Sequence, residues 1–265
     1  MRLAVLLLGL CLAPLTAVAC GSDTDCALGD RTYRILMPEG VERPGAVVFA
    51  HGYRGSASGT MRSQGLRDMA AELGVALVAV KSYAEDWRIP GVPADPTTDG
   101  AQERQYFSAL VPALAERHGI DTDRLLLAGF SAGGMVTWQM ACDLGDLFAG
   151  FAPIAGTFWV PVPSTCASAP VNLIHTHGTS DKIVPLAGRP IAETHQGDVE
   201  KAVSVLRVAG GYDNPVDVPA EGMVCTAEST PDNHVLELCL HDGGHSMRAS
   251  YVARAWRRLE ALGAL

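Results

Sequence analysis

Gly129-Phe130-Ser131-Ala132-Gly133 follows the apolar run "LLLA" and leads into "GMVTWQM", so a serine stands between a strand-like and a helix-like segment. A serine at such a turn is held in a cramped backbone, and glycines two before and two after relieve the crowding. Its hydroxyl then projects above the sheet edge, where the N–H groups that open the helix point at an attacked carbonyl oxygen. The chemistry on offer is nucleophilic attack through a covalent intermediate. A hydroxyl needs a base, and the base needs an orienting acid. Behind an elbow of this kind they follow in the order Ser, Asp or Glu, then His. "HTHGTSDKIVP" supplies Asp181 and "LCLHDGGHSM" supplies His245. As a plain turn residue Asp181 would have no such role. Asp242 is the rival acid, but it shares the histidine's own loop and has the place of a turn residue. "VVFAHGYRGS" completes the set: after an apolar strand, the backbone N–H of Tyr53 joins that of Ala132 as the expected oxyanion hole.

The histidines offer a competing chemistry. "HDGGHSMR" carries His241 and His245, and "HTHG" carries His175 and His177. A zinc-binding H-x-x-x-H pair needs a helix to put both imidazoles on one face, and Gly243-Gly244 disfavour a helix there. His175 and His177 share a strand face, but the spaced aspartate-histidine continuation of a binuclear site is missing. His245 is therefore expected as a base, brought to Ser131 by a glycine-rich loop. His241 is expected to end a strand, and His175 and His177 to pack at a strand end. No metal and no cofactor is expected.

These residues need a scaffold. "TYRILMP" and "GAVVFAHG" are close in sequence, as in an initial antiparallel pair. "VALVAVKS", "RLLLAGFS", "FAGFAPIAG", "PVNLIHTHG" and "HVLELCLHD" follow at wider spacing. The middle runs are continuously apolar, as in parallel strands covered on both faces. Helical patterns lie between them. "MRSQGLRDMAAELG" ends on Gly74 as a C-cap. Asp99 and Gln102 suggest a capping box for the next, in which Tyr106, Phe107, Leu110, Val111 and Leu114 share a face and Pro112 should introduce a bend. Another begins at Ala132, and "SYVARAWRRLEAL" is the last. This alternation predicts an α/β fold with a mostly parallel central sheet and helices on both faces. "WRIPGVPADPTTDG" and "GGYDNPVDVPAEG" read as surface loops. Trp87, in the first of them, is a candidate for lining a substrate pocket, or else an ordinary partly buried anchor.

A net charge of -9 repels phosphate backbones, and no basic run reverses it locally, so nucleic acid is not expected as a partner. With 48% hydrophobic and 18% charged residues the chain is globular. Met1-Arg2, the apolar "LAVLLLGLCLAPL" and Ala17-Val18-Ala19 read as a signal peptide over 1–19. No stretch approaches the ~18 apolar residues of a transmembrane span. Residues 20–265 are then one catalytic domain, secreted or periplasmic. Cys20, Cys26, Cys142, Cys166, Cys225 and Cys239 remain after the leader, an even set suited to disulfides in an exported protein. Sequence alone allows about fifteen pairings; nearest neighbours, Cys20–Cys26, Cys142–Cys166 and Cys225–Cys239, are the simplest. Lipid anchoring at Cys20 is the alternative, and it would strand Cys26.

With these residues placed, the chain resembles secreted α/β-hydrolases of the polyhydroxybutyrate depolymerase and feruloyl-esterase group. "FAHGYRGS", "AGFSAGGM", "ACDLGDLFAGFAPIAG", "HTHGTSDKIVP" and "DGGHS" occur in the group's order and spacing over nearly all of 20–265. Met247 departs from the aromatic residue that often follows G-G-H-S there. The resemblance implies hydrolysis of carboxylic esters by a serine triad without cofactor, and closure of Cys142 on the loop that holds Cys166. The expected partner is an ester substrate, a polyester oligomer or a plant-polysaccharide ester. A serine peptidase, an acyltransferase and a non-catalytic binding protein are the alternatives on the same scaffold.

Overall fold

The computed structural model describes residues 20–265, and the expected leader at 1–19 lies outside the described residues. The chain enters through β1 (Cys26–Leu28), β2 (Arg31–Leu36) and β3 (Ala46–Ala50), then α1 (Ala57–Met61), α2 (Gln64–Leu73) and β4 (Ala76–Val80). It continues through α3 (Ala101–His118), β5 (Leu125–Phe130), α4 (Ala132–Asp143), β6 (Gly150–Ile154) and β7 (Leu173–Gly178). A short hairpin of β8 (Pro190–Ile191) and β9 (Thr194–His195) precedes α5 (Val199–Gly210). The end is β10 (Asp213–Val218), β11 (Val224–Ser229), β12 (Val235–His241) and α6 (Ala249–Ala261).

Among the described residues ten strands form one sheet in the order β1-β2-β4-β3-β5-β6-β7-β12-β11-β10. From β4 to β12 the neighbours run parallel; the strands at the two edges are antiparallel. Alternation along each strand divides the core. Ala46, Val48 and Ala50 of β3 face a cluster with Phe107, Leu110, Met135, Trp138 and Leu206, from α3, α4 and α5. Val47 and Phe49 face the opposite cluster, with Met61, Met69 and Trp256, from α1, α2 and α6. The central strands are buried on both sides, which is why their sequences are apolar without interruption.

Four details differ from the sequence reading. β2 does not pair with β3: the crossover through α1 and α2 returns β4 parallel to β3, and β4 occupies the edge that β2 then joins antiparallel. "GGYDNPVDVPAEG" is not all loop but contains β10, an outermost strand whose residues are largely exposed. Pro215 is tolerated at an edge because no ladder bond is required of it there, and exposure removes the apolar signal. "WRIPGVPADPTTDG" has no helix or strand up to Ala101, yet it is no surface excursion throughout, since Trp87, Ile89 and Val92 are buried. Finally, α3, which holds Pro112 within it, is capped by Gly100, and Asp99 Oδ1 accepts the Ala101 N–H at 2.9 Å in place of the expected box with Gln102. α2 does end at Gly74, in the left-handed region at φ 66°. Disulfides join Cys20–Cys26, Cys142–Cys166 and Cys225–Cys239, the last pair directly opposite across β11 and β12.

Candidate active site

Ser131 stands where β5 ends and α4 begins, with φ 58° and ψ -120°. A positive φ is costly for any residue with a Cβ and persists only where the surroundings enforce it. The enforcement here is backbone on backbone. The Ser131 N–H donates to the Ile154 carbonyl, and the Ser131 carbonyl accepts from the Met135 N–H, each at 2.9 Å. A Cβ on Gly129 would lie 2.2 Å from the Gly133 carbonyl oxygen, and one on Gly133 would lie 1.9 Å from that of Ala50. Both glycines of the G-x-S-x-G run are therefore sterically required, as is Gly134, whose Cβ would fall 2.7 Å from the Ile154 oxygen.

Ala132 is the first residue of α4, so its N–H belongs to the helix turn that has no intrahelical acceptors. The loop after β3 passes alongside: a Cβ on Gly52 would be 3.5 Å from Ser131 Cβ. That contact brings the Tyr53 backbone to the same rim, while the Tyr53 side chain is exposed. His51 fixes this loop. Its Nδ1 donates to the Gly52 carbonyl at 2.8 Å, and its Nε2 accepts the Ser82 N–H at 3.2 Å. Burial lowers its pKa to about 4, so it serves here as a neutral strut.

Asp181 follows β7, and its carboxylate is buried and fully engaged. Oδ1 accepts the N–H groups of Ile183 and Val184 at 2.8 and 2.9 Å, and Oδ2 accepts from His245 Nδ1 at 2.7 Å. A carboxylate at Nδ1 places the ring proton there and leaves Nε2 with its lone pair. The His245 ring lies 4.6 Å, centroid to centroid, from Phe130, the residue before Ser131. Sequence reasoning overlooked Gly178 at the end of β7. A Cβ there would meet the Gly243 and Gly244 carbonyl oxygens at 2.3 and 2.5 Å, so the histidine loop can close onto β7 only over a glycine.

The four imidazoles do not converge on one point. His177 Nε2 donates to the Val184 carbonyl at 2.7 Å, which leaves its Nδ1 to accept from His175 Nε2 at 2.9 Å. Burial pushes both histidines below their ordinary pKa. His177 Nε2 is also 3.6 Å from Asp181 Oδ2, so the pair buttresses the turn that carries the acid. His241 ends β12, accepts the Gly243 N–H at Nδ1 at 3.0 Å and stacks on Tyr251. Asp242 is exposed. Two groups of metal-ligand types do gather among the described residues, Cys20 with Cys26 and His118, and Cys225 with Cys239 and Glu237. In both the sulfurs are bonded to each other as disulfides and are not thiolates.

Beside Ser131 lies a cleft of about 470 Å³, its walls including Tyr53, Ala132, Met135, Trp159 and Ile183. Trp87 is not one of them. Fully buried, it donates from Nε1 to the His51 carbonyl at 2.8 Å, with its ring 5.2 Å from the imidazole. The expected pocket wall is thus an anchor beneath the loop that follows β3, because an indole with a buried N–H takes the partner within reach. Its neighbour Asp86 reaches the cleft, and burial raises that carboxyl to about 6. No periodic pattern marks Asp86, Trp159 or Ile183, which sit on irregular segments positioned by distant contacts.

Residues 98–204 match the Phospholipase/Carboxylesterase family model, a span that holds Ser131 and Asp181 but stops before His245. Over 246 residues the chain is 30% identical to "Putative esterase NocK" of Nocardia uniformis subsp. tsuyamanensis, covering 82% of this chain and 70% of that protein. The chain belongs to the α/β-hydrolase esterases. Another such esterase, the acetyl xylan esterase from Aspergillus awamori, shares the fold with a TM-score of 0.65 at 17% identity, over 91% of this chain and 99% of its own. A shorter stretch of 84 residues, 32% of this chain, is 36% identical to 18% of the poly(3-hydroxyalkanoate) depolymerase C of Paucimonas lemoignei.

Proposed function

We propose that the chain is an exported serine esterase in which Ser131, His245 and Asp181 act as a triad. The observation that carries this is the 2.7 Å bond from His245 Nδ1 to Asp181, made over the ring that precedes a serine held at positive φ. Ser131 Oγ attacks the ester carbonyl carbon while His245 Nε2 takes its proton. Asp181 holds the ring and stabilises the imidazolium. The electron pair displaced from the carbonyl comes to rest on an oxyanion that accepts from the Tyr53 and Ala132 N–H groups, each such donor contributing ~3 kcal/mol in the transition state. Collapse expels the alcohol, which takes the proton from His245. Water, deprotonated by the same Nε2, then attacks the acyl-enzyme and restores Ser131. Water and these side chains supply every proton, so the scheme calls on no cofactor.

Hydroxyalkanoate oligomers or polyesters and the feruloyl or acetyl esters of polysaccharides are the substrate classes; the hydroxyalkanoate and acetyl classes accord with the relatives' names. Residues 20–265 act as one catalytic unit after removal of 1–19. Three disulfides support export into an oxidising compartment, and the Cys20–Cys26 bond leaves no free thiol at Cys20 for a lipid. Purified protein assayed on p-nitrophenyl esters, methyl ferulate and hydroxybutyrate oligomers should hydrolyse at least one of them. Ser131→Ala should lower that rate by ~10³-fold or more with its melting temperature retained; retained turnover overturns the triad.

A further inference from the structure

The cleft beside Ser131 has largely apolar walls, so its polar side chains are the ones able to select among esters. Gln196 is the least expected of them. It is 4% exposed, it lines the cleft, and its Oε1 has no hydrogen-bond partner among the described residues. Buried polar atoms are nearly always paired, and an orphan in a binding cleft calls for a reason.

The backbone around Gln196 is held rigidly for a residue outside regular structure. Its N–H donates to the Arg189 carbonyl at 2.9 Å, and its carbonyl accepts from His195 Nδ1 at 2.5 Å. Trp159 bridges to it in antiparallel fashion, and the next N–H, of Gly197, donates to Phe158 at 2.7 Å. Gly188, at φ 71°, lets the loop fold over: a Cβ there would sit 2.1 Å from the Gln196 carbonyl oxygen. A side chain whose main chain is fixed on several sides is preorganised, which is what a recognition group requires. The last torsion of a glutamine is soft, so its acceptor end can turn to the cleft. Asp86 is the one carboxylate among the lining residues, and its Oδ1 accepts the Trp87 N–H at 2.9 Å. Arg189 shares the cleft with its Nε committed to the Ile183 carbonyl at 2.8 Å.

We infer that Gln196 is a specificity-determining residue whose carboxamide oxygen accepts a hydroxyl of the substrate, so that the enzyme selects esters bearing a hydroxyl near the scissile bond. Asp86 offers a second acceptor in the same cleft. The inference rests on the esterase reading and refines it. Two kinds of molecule carry such a hydroxyl, a β-hydroxyacyl chain and a sugar ring acylated beside a free hydroxyl. A site built to bind a hydroxyl discriminates strongly against the analogue lacking it, because the protein group is then left unpaired.

The test compares kcat/KM within matched pairs. In the acyl arm, p-nitrophenyl 3-hydroxybutyrate is set against p-nitrophenyl butyrate. In the sugar arm, a methyl xyloside monoacetate is set against its deoxy analogue without the neighbouring hydroxyl. Wild type should favour the hydroxylated member of one pair by about tenfold or more, and the responding arm identifies the source. Gln196→Met should bring that ratio to within about twofold of unity, whereas Gln196→Glu, which keeps an oxygen acceptor, should retain it. A ratio cancels any loss of folded enzyme. Hydrolysis without hydroxyl preference in either arm, or a preference unchanged in Gln196→Met, overturns the inference and leaves the esterase reading standing. No hydrolysis by wild type of the four esters, of methyl ferulate or of hydroxybutyrate oligomers overturns both.

Discussion

The elbow at Ser131 and the loop at His245 meet at one rim of the sheet, yet the two side chains are set there by different means. The elbow is fixed by main chain: two carbonyl-to-amide bonds and glycines whose missing Cβ atoms would overlap backbone oxygens at 1.9 to 2.7 Å. The histidine loop also closes onto β7 by main chain, over Gly178 and through the Ser180 N–H to the Gly243 carbonyl at 3.1 Å, but the His245 ring itself is oriented by a side chain, Asp181. Strain at Ser131 is therefore part of the fold, whereas the orientation of the His245 ring is an added side-chain interaction. The buried His175–His177 pair belongs to the second kind of support, standing behind the Asp181 turn.

Substitutions should separate the two. The largest effect is expected from Asp181→Asn. The Oδ1 bonds to Ile183 and Val184 can survive, but an amide N–H₂ would face His245 Nδ1 and favour the wrong tautomer. kcat should fall about 10⁴-fold, or ~5.5 kcal/mol, with melting little changed; a loss below tenfold would break the comparison on the loop side. Gly133→Ala should do the reverse. Its Cβ overlaps the Ala50 carbonyl, so stability should drop by about 4 kcal/mol, seen in urea unfolding or as loss of soluble protein. A variant of wild-type stability would mean that the elbow is not set by backbone crowding. The smallest effect is expected at the strand that leads to His245. Cys225→Ala with Cys239→Ala opens a disulfide spanning 14 residues of sequence. In the chain-entropy model that costs about 3 kcal/mol, and an unchanged melting temperature would count against it.

Legibility in the sequence followed the same division. The elbow is local, so five consecutive residues between an apolar strand and a helix identified it. Asp181 and His245 were legible through chain order, because each leaves a strand of one parallel sheet. What escaped was set by distance. The place of β4 between β2 and β3 depends on a crossover that no short window contains. β10 lost its strand signal because an exposed edge needs neither apolar residues nor the N–H of Pro215. Trp87 was ambiguous until its indole met the His51 carbonyl, 36 residues away in sequence. Gly178 and Gln196 carry no pattern at all; their importance rests on what passes within a few ångströms of them.

The central claim is that the Ser131 hydroxyl is activated by the His245–Asp181 pair. Treating intact protein with a fluorophosphonate and mapping the adduct by peptide mass spectrometry tests it most directly. The account predicts one phosphonyl group, on Ser131, with labelling slowed at least ~10³-fold in His245→Ala. Stoichiometric labelling at another residue, or undiminished labelling of Ser131 without the imidazole, would contradict it.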